Sequence, residues 1–263
     1  MQSQIKFLNI VIYIQNEEYE KMYQALSGLY NKQENVETIF VTYDNLINKK
    51  FIRKNDIIYI NGKESLVPGL LRKTIDALLL VNDLNRFDYI IRSNMSTVID
   101  FDRLSDIILK NENIPINYMG GHVHTLTWLD PDSGIIDNSN FGLRFASGTM
   151  IIFSPMVATL MLEKRHYFEF GIVDDVAIGA FIKLNFPELI IHEISKHLFA
   201  WNISEDTLET KFKLINDYFK NIRPIAWRNK SSDRNTDAVC IEYICNLIKN
   251  QKTESVGNRP LEP

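Results

Sequence analysis

The first half of the chain alternates between short apolar segments rich in β-branched residues and segments whose apolar residues recur at helical spacing. The apolar segments predict buried strands at residues 6–14, 36–42, 57–60 and 89–93. The intervening segments predict helices at residues 17–30, 68–82 and 101–110. Strands that alternate with helices in this way form a mostly parallel sheet that is covered on both faces. We therefore expect an α/β fold.

The second half of the chain has shorter segments that are separated by polar loops. Strands are predicted at residues 117–123, 145–153 and 190–192, and helices at residues 154–163, 174–183, 204–220 and 237–250. The sequence shows no internal repeat and no linker that divides it, so residues 1–250 are expected to form a single domain. The polar residues 251–263 are expected to form a flexible C-terminal tail.

The composition excludes several classes of protein. Of the 263 residues, 45% are hydrophobic and 24% are charged, which is typical of a globular chain. The 29 Lys and Arg residues are outnumbered by 33 Asp and Glu residues, so a nucleic-acid partner is not expected. No apolar stretch approaches the ~20 residues of a transmembrane segment, and no signal-peptide pattern opens the chain, so the expected location is cytoplasmic. Cys240 and Cys245 are expected to be reduced and buried, and nothing in the sequence indicates an oligomeric state.

Polar residues follow three of the predicted parallel strands. Ligands of such sheets bind beyond the carboxyl ends of the strands. The residues at these ends are Gln15 and Asn16 after the first strand, Tyr43 and Asp44 after the second, and residues 92–96 after the fourth. This edge of the sheet is therefore the expected ligand-binding site.

Three short motifs contain residues that could bind a ligand or react with it at this edge. Each motif also has a purely structural interpretation. Arg-Ser-Asn-Met-Ser at residues 92–96 fits either a ligand-binding strand end or an Asx turn. Phe-Ala-Ser-Gly at residues 145–148 contains a glycine that permits close approach to the backbone, although Ser-Gly is common in strands. Asp-Asp-Val-Ala-Ile-Gly at residues 174–179 offers either a general base or a helix cap. Asp100 and Asp102 form a literal Asp-x-Asp, but their place at a helix start favours capping.

The order of these motifs resembles that of glycosyltransferases with a GT-A fold, in particular glycosyltransferase family 31, the fringe and β-1,3-galactosyltransferase group. Residues 69–78 are similar to a family helix with a Lys-Thr pair, here Lys73 and Thr74, and residues 118–120 are similar to its Tyr-x-Gly strand. Residues 227–234 resemble a basic segment of related microbial and viral transferases. The family's metal-binding Asp-x-Asp is degenerate, because Asn94 and Ser96 occupy the acidic positions.

The resemblance implies a GT-A-like α/β fold with a Rossmann-like nucleotide-sugar-binding half and a mixed central sheet. It also implies transfer of a sugar from a nucleoside diphosphate sugar to a hydroxyl of a glycan, glycolipid or glycoprotein acceptor. On this basis the nucleotide would contact Gln15, Asn16, Tyr43 and Asp44. The diphosphate and donor sugar would be bound by Lys73, Arg92, Asn94 and Ser96. The sugar and acceptor cleft would be lined by Gly120, Ser147 and Gly148.

The resemblance further implies an inverting reaction with an aspartate as the general base, either Asp174 or Asp175, with Asp174 at the family's base position. No metal ligand is assigned. Neutral Asn94 and Ser96 predict at most a weak dependence on Mn²⁺ or Mg²⁺, because these ions favour carboxylate oxygens. The missing acidic residues leave one alternative from another class, a non-catalytic glycan- or nucleotide-binding protein on a degenerate glycosyltransferase fold.

Overall fold

The computed structural model describes residues 4–110, 116–194, 198–201 and 207–257. Its strands are β1 (Phe7–Ile12), β2 (Val36–Tyr43), β3 (Phe51–Lys54), β4 (Ile57–Ile60), β5 (Tyr89–Asn94), β6 (Thr97–Ile99), β7 (Tyr118–Gly120), β8 (Val123–Thr125), β9 (Arg144–Ala146), β10 (Met150–Phe153), β11 (His192–Glu193), β12 (Phe199–Trp201) and β13 (Ala226–Arg228). Its α-helices are α1 (Glu17–Tyr30), α2 (Gly69–Leu79), α3 (Phe101–Lys110), α4 (Pro155–Glu163), α5 (Asp174–Asn185), α6 (Leu208–Asn221) and α7 (Arg234–Gly257).

Eight strands form one mixed sheet in the order β11-β7-β10-β5-β1-β2-β4-β3. The central strands β5, β1, β2 and β4 are parallel, whereas β10 and β3 run antiparallel to their neighbours. The chain order reverses at β1, because β2 pairs with one edge of β1 and β5 pairs with the other. In sheets of this type, the crevice beyond the carboxyl ends of two such strands is the usual ligand site.

Helices cover both faces of the large sheet. Alternate side chains of β1 point to opposite faces, so that Phe7 and Val11 belong to one buried cluster and Leu8 and Ile10 to the other. The first cluster includes residues of α1, α3, α6 and α7, and the second includes residues of α2, α4 and α5. Burial on both faces explains why the central strands are almost continuously apolar in sequence. The fold is mixed α/β, as the sequence predicted.

Two small sheets bring distant parts of the chain to the carboxyl end of β5. β6 follows β5 after a turn at Met95 and Ser96, and it pairs antiparallel with β13. The backbone N–H of Asn229, just after β13, donates to the Ser96 carbonyl at 2.9 Å. β8 pairs antiparallel with β9, which is joined to β10 by residues 147–149. Residues near 150 and near 230 therefore meet the same edge of the large sheet.

Several segments differ from the sequence prediction. Residues 145–153, predicted as one strand, contribute to two strands of different sheets, β9 and β10. Strands β3 and β6 were not predicted, because the mostly exposed β3 (Phe-Ile-Arg-Lys) lacks an apolar run and β6 has only three residues. Helix α7 begins before residue 237 and continues through residues 251–257, which the prediction placed in a flexible tail. Residues 204–206 of a predicted helix and residues 258–263 of the predicted tail lie outside the described residues.

Three smaller predictions can be compared directly with the structure. Cys240 and Cys245, both on α7, are free thiols buried in the core, as predicted. The Asp100 carboxylate accepts a hydrogen bond from the backbone N–H of Arg103 at 3.1 Å, so Asp100 caps α3 as predicted. Of the helices that the structure describes, none combines the length and the apolar character needed to cross a membrane.

Candidate functional site

A pocket of about 360 Å³ opens beyond the carboxyl ends of β1 and β5, where the strand order reverses. Its lining combines apolar side chains, which we call the apolar wall, with cationic and amide side chains, which we call the polar wall. The apolar wall is formed by Ile12, Ile14, Tyr19, Leu66, Leu70 and Met95. The polar wall includes Arg92, Asn94, Ser96, Arg228 and Lys230, with Glu64 and Ser65 at the side. The pocket is suited to a ligand with an apolar body and an anionic group.

Arg92, at the end of β5, is bound from two directions although its side chain is only 3% exposed. One guanidinium nitrogen lies 2.5 Å from Oδ2 of Asp174, and the other donates to the carbonyl of Gly148. These contacts connect the sheet to the start of α5 and to the turn between β9 and β10. Arg92 therefore lines the pocket while it also holds two other segments in place.

Asn94 and Ser96, at the positions expected for a metal-binding Asp-x-Asp, contact guanidinium groups instead. Oδ1 of Asn94 accepts from the Ser96 N–H at 3.2 Å, from the Thr97 hydroxyl at 3.1 Å and from Arg228. The hydroxyl of Ser96 lies 2.7 Å from a guanidinium nitrogen of Arg234. Two neutral oxygens that already accept from cations do not fit a divalent metal ion, which needs free anionic oxygens. Among the described residues, no three His, Cys, Asp or Glu side chains form a group that could hold a metal ion.

The cationic side of the pocket comes mainly from residues 228–234, after β13. Burial, and then the neighbouring charge of Arg234, lowers the pKa of Arg228 to about 10, so Arg228 is still protonated at neutral pH. Lys230 has its pKa lowered by burial and by the nearby guanidinium groups of Arg228 and Arg234. Arg234 is paired with the buried Asp237 and lies over the Tyr19 ring at 5.1 Å. The three cations, Arg228, Lys230 and Arg234, form a compact region of positive charge around the buried carboxylate of Asp237.

Residues 227–234 are recognisable in the sequence as a basic segment, but nothing in the sequence places them at the site. Only the pairing of β13 with β6 brings them to the end of β5. The local signal was the cluster of Arg228, Lys230 and Arg234 within seven positions, which by itself is also compatible with a solvated surface segment. Glu64 was missed as well, because it lies in a loop without a recognisable motif.

Asp174 and Asp175, at the start of α5, have different environments. Asp174 is only 2% exposed and is paired with Arg92. Asp175 is partly exposed, and its two carboxylate oxygens each accept a backbone N–H at 2.9 Å, one from Gly148 and one from Val176. Part of the residue is exposed, but protein atoms surround the carboxylate closely, and this desolvation, followed by the negative charge of Asp174, raises the pKa of Asp175 to about 6. A carboxylate with a pKa near the working pH has the property that a general base requires.

The residues expected to line a sugar and acceptor cleft are packed more tightly than expected. A Cβ on Gly148 would lie 2.9 Å from a guanidinium nitrogen of Arg92, so the close approach of Arg92 already requires glycine there. Gly120 is buried, and a Cβ there would lie 2.7 Å from the Ala146 side chain. Ser147 is 8% exposed, and its N–H donates to the His122 carbonyl at 2.8 Å. Gly120 is therefore a packing residue between strands rather than part of an open cleft.

Lys73 also differs from its expected setting. Its side chain is fully buried, and its ammonium donates to the Tyr13 carbonyl at 2.7 Å and lies 2.5 Å from the Glu64 carboxylate. Burial lowers the Lys73 pKa, while Glu64 opposes this change. Glu64 also accepts the Tyr43 N–H at 2.9 Å. Lys73 therefore lies beneath the pocket, where it joins α2 to the ends of β1 and β2, and it does not line the pocket wall.

The four residues expected to contact a nucleotide lie at the predicted edge of the sheet but outside the lining of this pocket. Asn16 accepts from the Tyr19 N–H at 2.8 Å and caps α1, and Asp44 accepts from the Leu46 N–H at 2.8 Å. The Tyr43 ring lies against Lys73, whose ammonium is 5.3 Å from the ring centroid. Gln15 is exposed next to the lining residue Ile14.

No protein-family model matches this chain, and no curated protein matches it in sequence. Among solved structures, the chain is similar to the "crystal structure of a glycosyltransferase involved in the glycosylation of the major capsid of PBCV-1". The two chains are 7% identical, the match covers 90% of this chain and 99% of the other, and the TM-score is 0.44. A likeness at this level does not by itself assign an activity to the chain.

Proposed function

We propose that this protein is a glycosyltransferase that transfers a sugar from a nucleoside diphosphate sugar to an acceptor hydroxyl. The observation that carries the proposal is the pocket at the reversal point of the sheet, whose lining contains both Arg92, Arg228 and Lys230 and a set of apolar side chains. A nucleoside diphosphate has a flat, weakly polar base at one end and two negative phosphates at the other. Both ends match the two walls of this pocket.

The cationic residues of the polar wall are suited to the leaving group of such a reaction. Guanidinium groups bind phosphate oxygens with paired N–H donors, and a lysine adds a mobile positive charge. As the bond between the sugar and the diphosphate breaks, negative charge develops on the departing oxygen, and fixed cations stabilise that charge most in the transition state. Arg228 and Lys230 would contact the diphosphate directly, while Arg92 would add positive charge from the floor of the pocket.

The apolar wall is suited to the nucleoside. Ile14, Leu66 and Leu70 offer a surface for the base. Gln15, Asn16 and Asp44, at the same edge of the sheet, would supply hydrogen-bonding groups around the base and ribose. Donor binding would depend only weakly on Mg²⁺ or Mn²⁺, because Arg228 and Arg234 take up the Asn94 and Ser96 oxygens at the expected metal position.

We assign the general base to Asp175 and a positioning role to Asp174. The family resemblance favours Asp174, but the carboxylate of Asp174 is buried against Arg92, and a base must reach an acceptor hydroxyl. Asp175 is partly exposed beside Gly148, and its raised pKa makes it a stronger base than an ordinary carboxylate. An inverting transfer needs one such base on the acceptor side.

Calorimetric titration of a panel of nucleoside diphosphates and their free nucleosides, with and without EDTA, tests the donor site. Wild-type protein should bind at least one diphosphate more tightly than its nucleoside. Arg228→Ala should weaken diphosphate binding by about 10–100-fold, since a hydrogen bond to a charged group contributes about 1.5–3 kcal/mol. Nucleoside binding should be nearly unchanged. Lys213→Ala, an exposed cation on α6, serves as the matched control.

Three results would contradict parts of the proposal. If no diphosphate binds more tightly than its nucleoside, the polar wall is not a diphosphate site. If EDTA weakens binding more than about tenfold, or roughly 1.4 kcal/mol, a metal ion takes part after all. Donor binding without hydrolysis or transfer, assayed by chromatography of the released nucleoside diphosphate, would favour a non-catalytic binding protein.

A further inference from the structure

Three ring side chains in and beside β8, His122, His124 and Trp128, form a row that we call the aromatic strip. The ring centroids of His122 and His124 are 6.1 Å apart and nearly parallel, and those of His124 and Trp128 are also 6.1 Å apart but perpendicular. Phe145 lies next to His124 at 5.8 Å and next to Trp128 at 6.3 Å, and it is almost fully buried. Phe145, the cross-strand partner of His124, therefore forms the buried side of the strip.

The strip is accessible to a ligand. Trp128 is 42% exposed, and both histidines are partly exposed. A large aromatic side chain that stays exposed contributes little to the stability of the core, because its apolar surface remains in contact with water. Strand β9 is rigidly placed, since Phe145 packs directly against Gly179 of α5.

The strip begins close to the proposed base. Ser147 lies opposite His122, with its N–H bonded to the His122 carbonyl at 2.8 Å. The next residue, Gly148, donates its N–H to Asp175 at 2.9 Å. Backbone contacts therefore connect Asp175 through Gly148 and the buried Ser147 to His122, and ring contacts lead from His122 to His124 and Trp128. An acceptor whose reactive hydroxyl lies at Asp175 would extend its remaining units toward these rings.

The chemistry of the strip matches a neutral carbohydrate. The C–H groups on one face of a pyranose ring carry slight positive charge, and they are attracted to the negative face of an aromatic ring. Histidine and tryptophan also present ring nitrogens that form hydrogen bonds with hydroxyl groups. The carboxylate of Glu193 lies 3.7 Å from Nδ1 of His122, and a carboxylate at this place accepts hydrogen bonds from hydroxyls and repels anions.

The geometry points to the aromatic strip as the acceptor subsite of this protein, with a neutral oligosaccharide as its ligand. This inference rests on the proposed glycosyl transfer, and it adds that the acceptor is a chain of sugar units rather than a small alcohol or a single sugar. Trp128 would stack on a sugar unit away from the reacting hydroxyl, and His122 would contact a unit near it.

Trp128→Ala tests the inference, and Phe51→Ala is the matched control because Phe51 is 43% exposed on β3 at the far edge of the sheet. The first measurement is saturation-transfer NMR of the protein without donor, using cellotetraose, chitotetraose and maltotetraose as probes. Wild type and Phe51→Ala should bind at least one probe, and Trp128→Ala should bind it at least tenfold more weakly. Binding of none of the probes by wild type, or equal binding by Trp128→Ala, would overturn the inference.

The second measurement separates this inference from the proposed function. With the probe as acceptor, Trp128→Ala should raise the KM for the oligosaccharide at least tenfold, change kcat less than threefold, and leave donor hydrolysis in the absence of acceptor unchanged. An unchanged oligosaccharide KM would overturn the acceptor subsite while the transferase proposal stands. Oligosaccharide binding that depends on Trp128, together with an absence of donor binding, would support the strip as a sugar site and reject the transferase proposal.

Discussion

Replacing Asp174 by Asn should destabilise the protein far more than it affects the chemistry of transfer. The carboxylate of Asp174 and the guanidinium of Arg92 are 2.5 Å apart, and their side chains are only 2% and 3% exposed. Removing one partner of a buried ion pair costs about 3–5 kcal/mol, because the other charge stays buried without its counterion. The Asn side chain still offers Arg92 a hydrogen-bond acceptor, which places the expected cost near the lower value, about 3 kcal/mol.

This cost translates into a large change in melting temperature. For a protein of this size, each kcal/mol changes the melting temperature by about 2–4 °C, so Asp174→Asn should lower it by about 6–12 °C. Turnover, measured at a temperature where the variant is folded, should fall much less than it does in Asp175→Asn.

Asp175→Asn should show the opposite pattern. The folded protein raises the Asp175 pKa to about 6, so folding favours the protonated carboxyl. The stability contributed by that proton is present below the unfolded pKa of about 3.9 and is lost as the pH rises through about 6. At pH 8 the neutral amide avoids the cost of a poorly solvated charge, so the melting temperature should stay the same or rise. Turnover should fall by about 10²–10⁴-fold, the usual effect of losing a positioned base.

The assay combines thermal unfolding at pH 5 and pH 8 with chromatographic measurement of nucleoside diphosphate release. The reasoning fails if Asp174→Asn melts within about 2 °C of wild type, a change of no more than roughly 1 kcal/mol, and abolishes transfer while Asp175→Asn retains it. The roles of the two aspartates would then be those that the family resemblance implies.

Two further predictions follow from the same contacts. The wild-type turnover should rise with pH, reach half of its maximum near pH 6 and level off above that pH, because Asp175 must be ionised to accept a proton. Rates measured from pH 5 to pH 8 that fall as the pH rises would contradict the role of Asp175 as the base. Lys73→Met should change the affinity for nucleoside diphosphate less than threefold, because Lys73 lies beneath the pocket and contacts Glu64 and Tyr13. A loss of affinity of tenfold or more in a calorimetric titration would indicate that Lys73 contacts the donor.

The central elements of the fold follow from local sequence. The boundaries of β1, α1, β2 and β5 lie close to the predicted ones. Strands buried on both faces appear in the sequence as runs of apolar residues, and a helix buried on one face appears as apolar residues at helical spacing. The predicted ligand edge also coincides with the position of the pocket, since parallel strands with helical connections end at the same side of a sheet. The cap at Asp100 was predictable for the same reason, as it depends only on residues within one turn.

Only the tertiary structure decided how the polar residues at this edge are paired. Arg92 and Asp174 belong to different elements, and Arg228 reaches Asn94 through the pairing of β13 with β6. Sequence motifs indicate which residues carry charge, but burial and the choice of partner depend on contacts between segments that are far apart in the chain. Those contacts bury Lys73, pair Asp174 with Arg92, and leave Asp175 partly exposed with a raised pKa. The aromatic strip likewise exists because β8 and β9 pair in register, which places the rings of His122, His124 and Phe145 on one face.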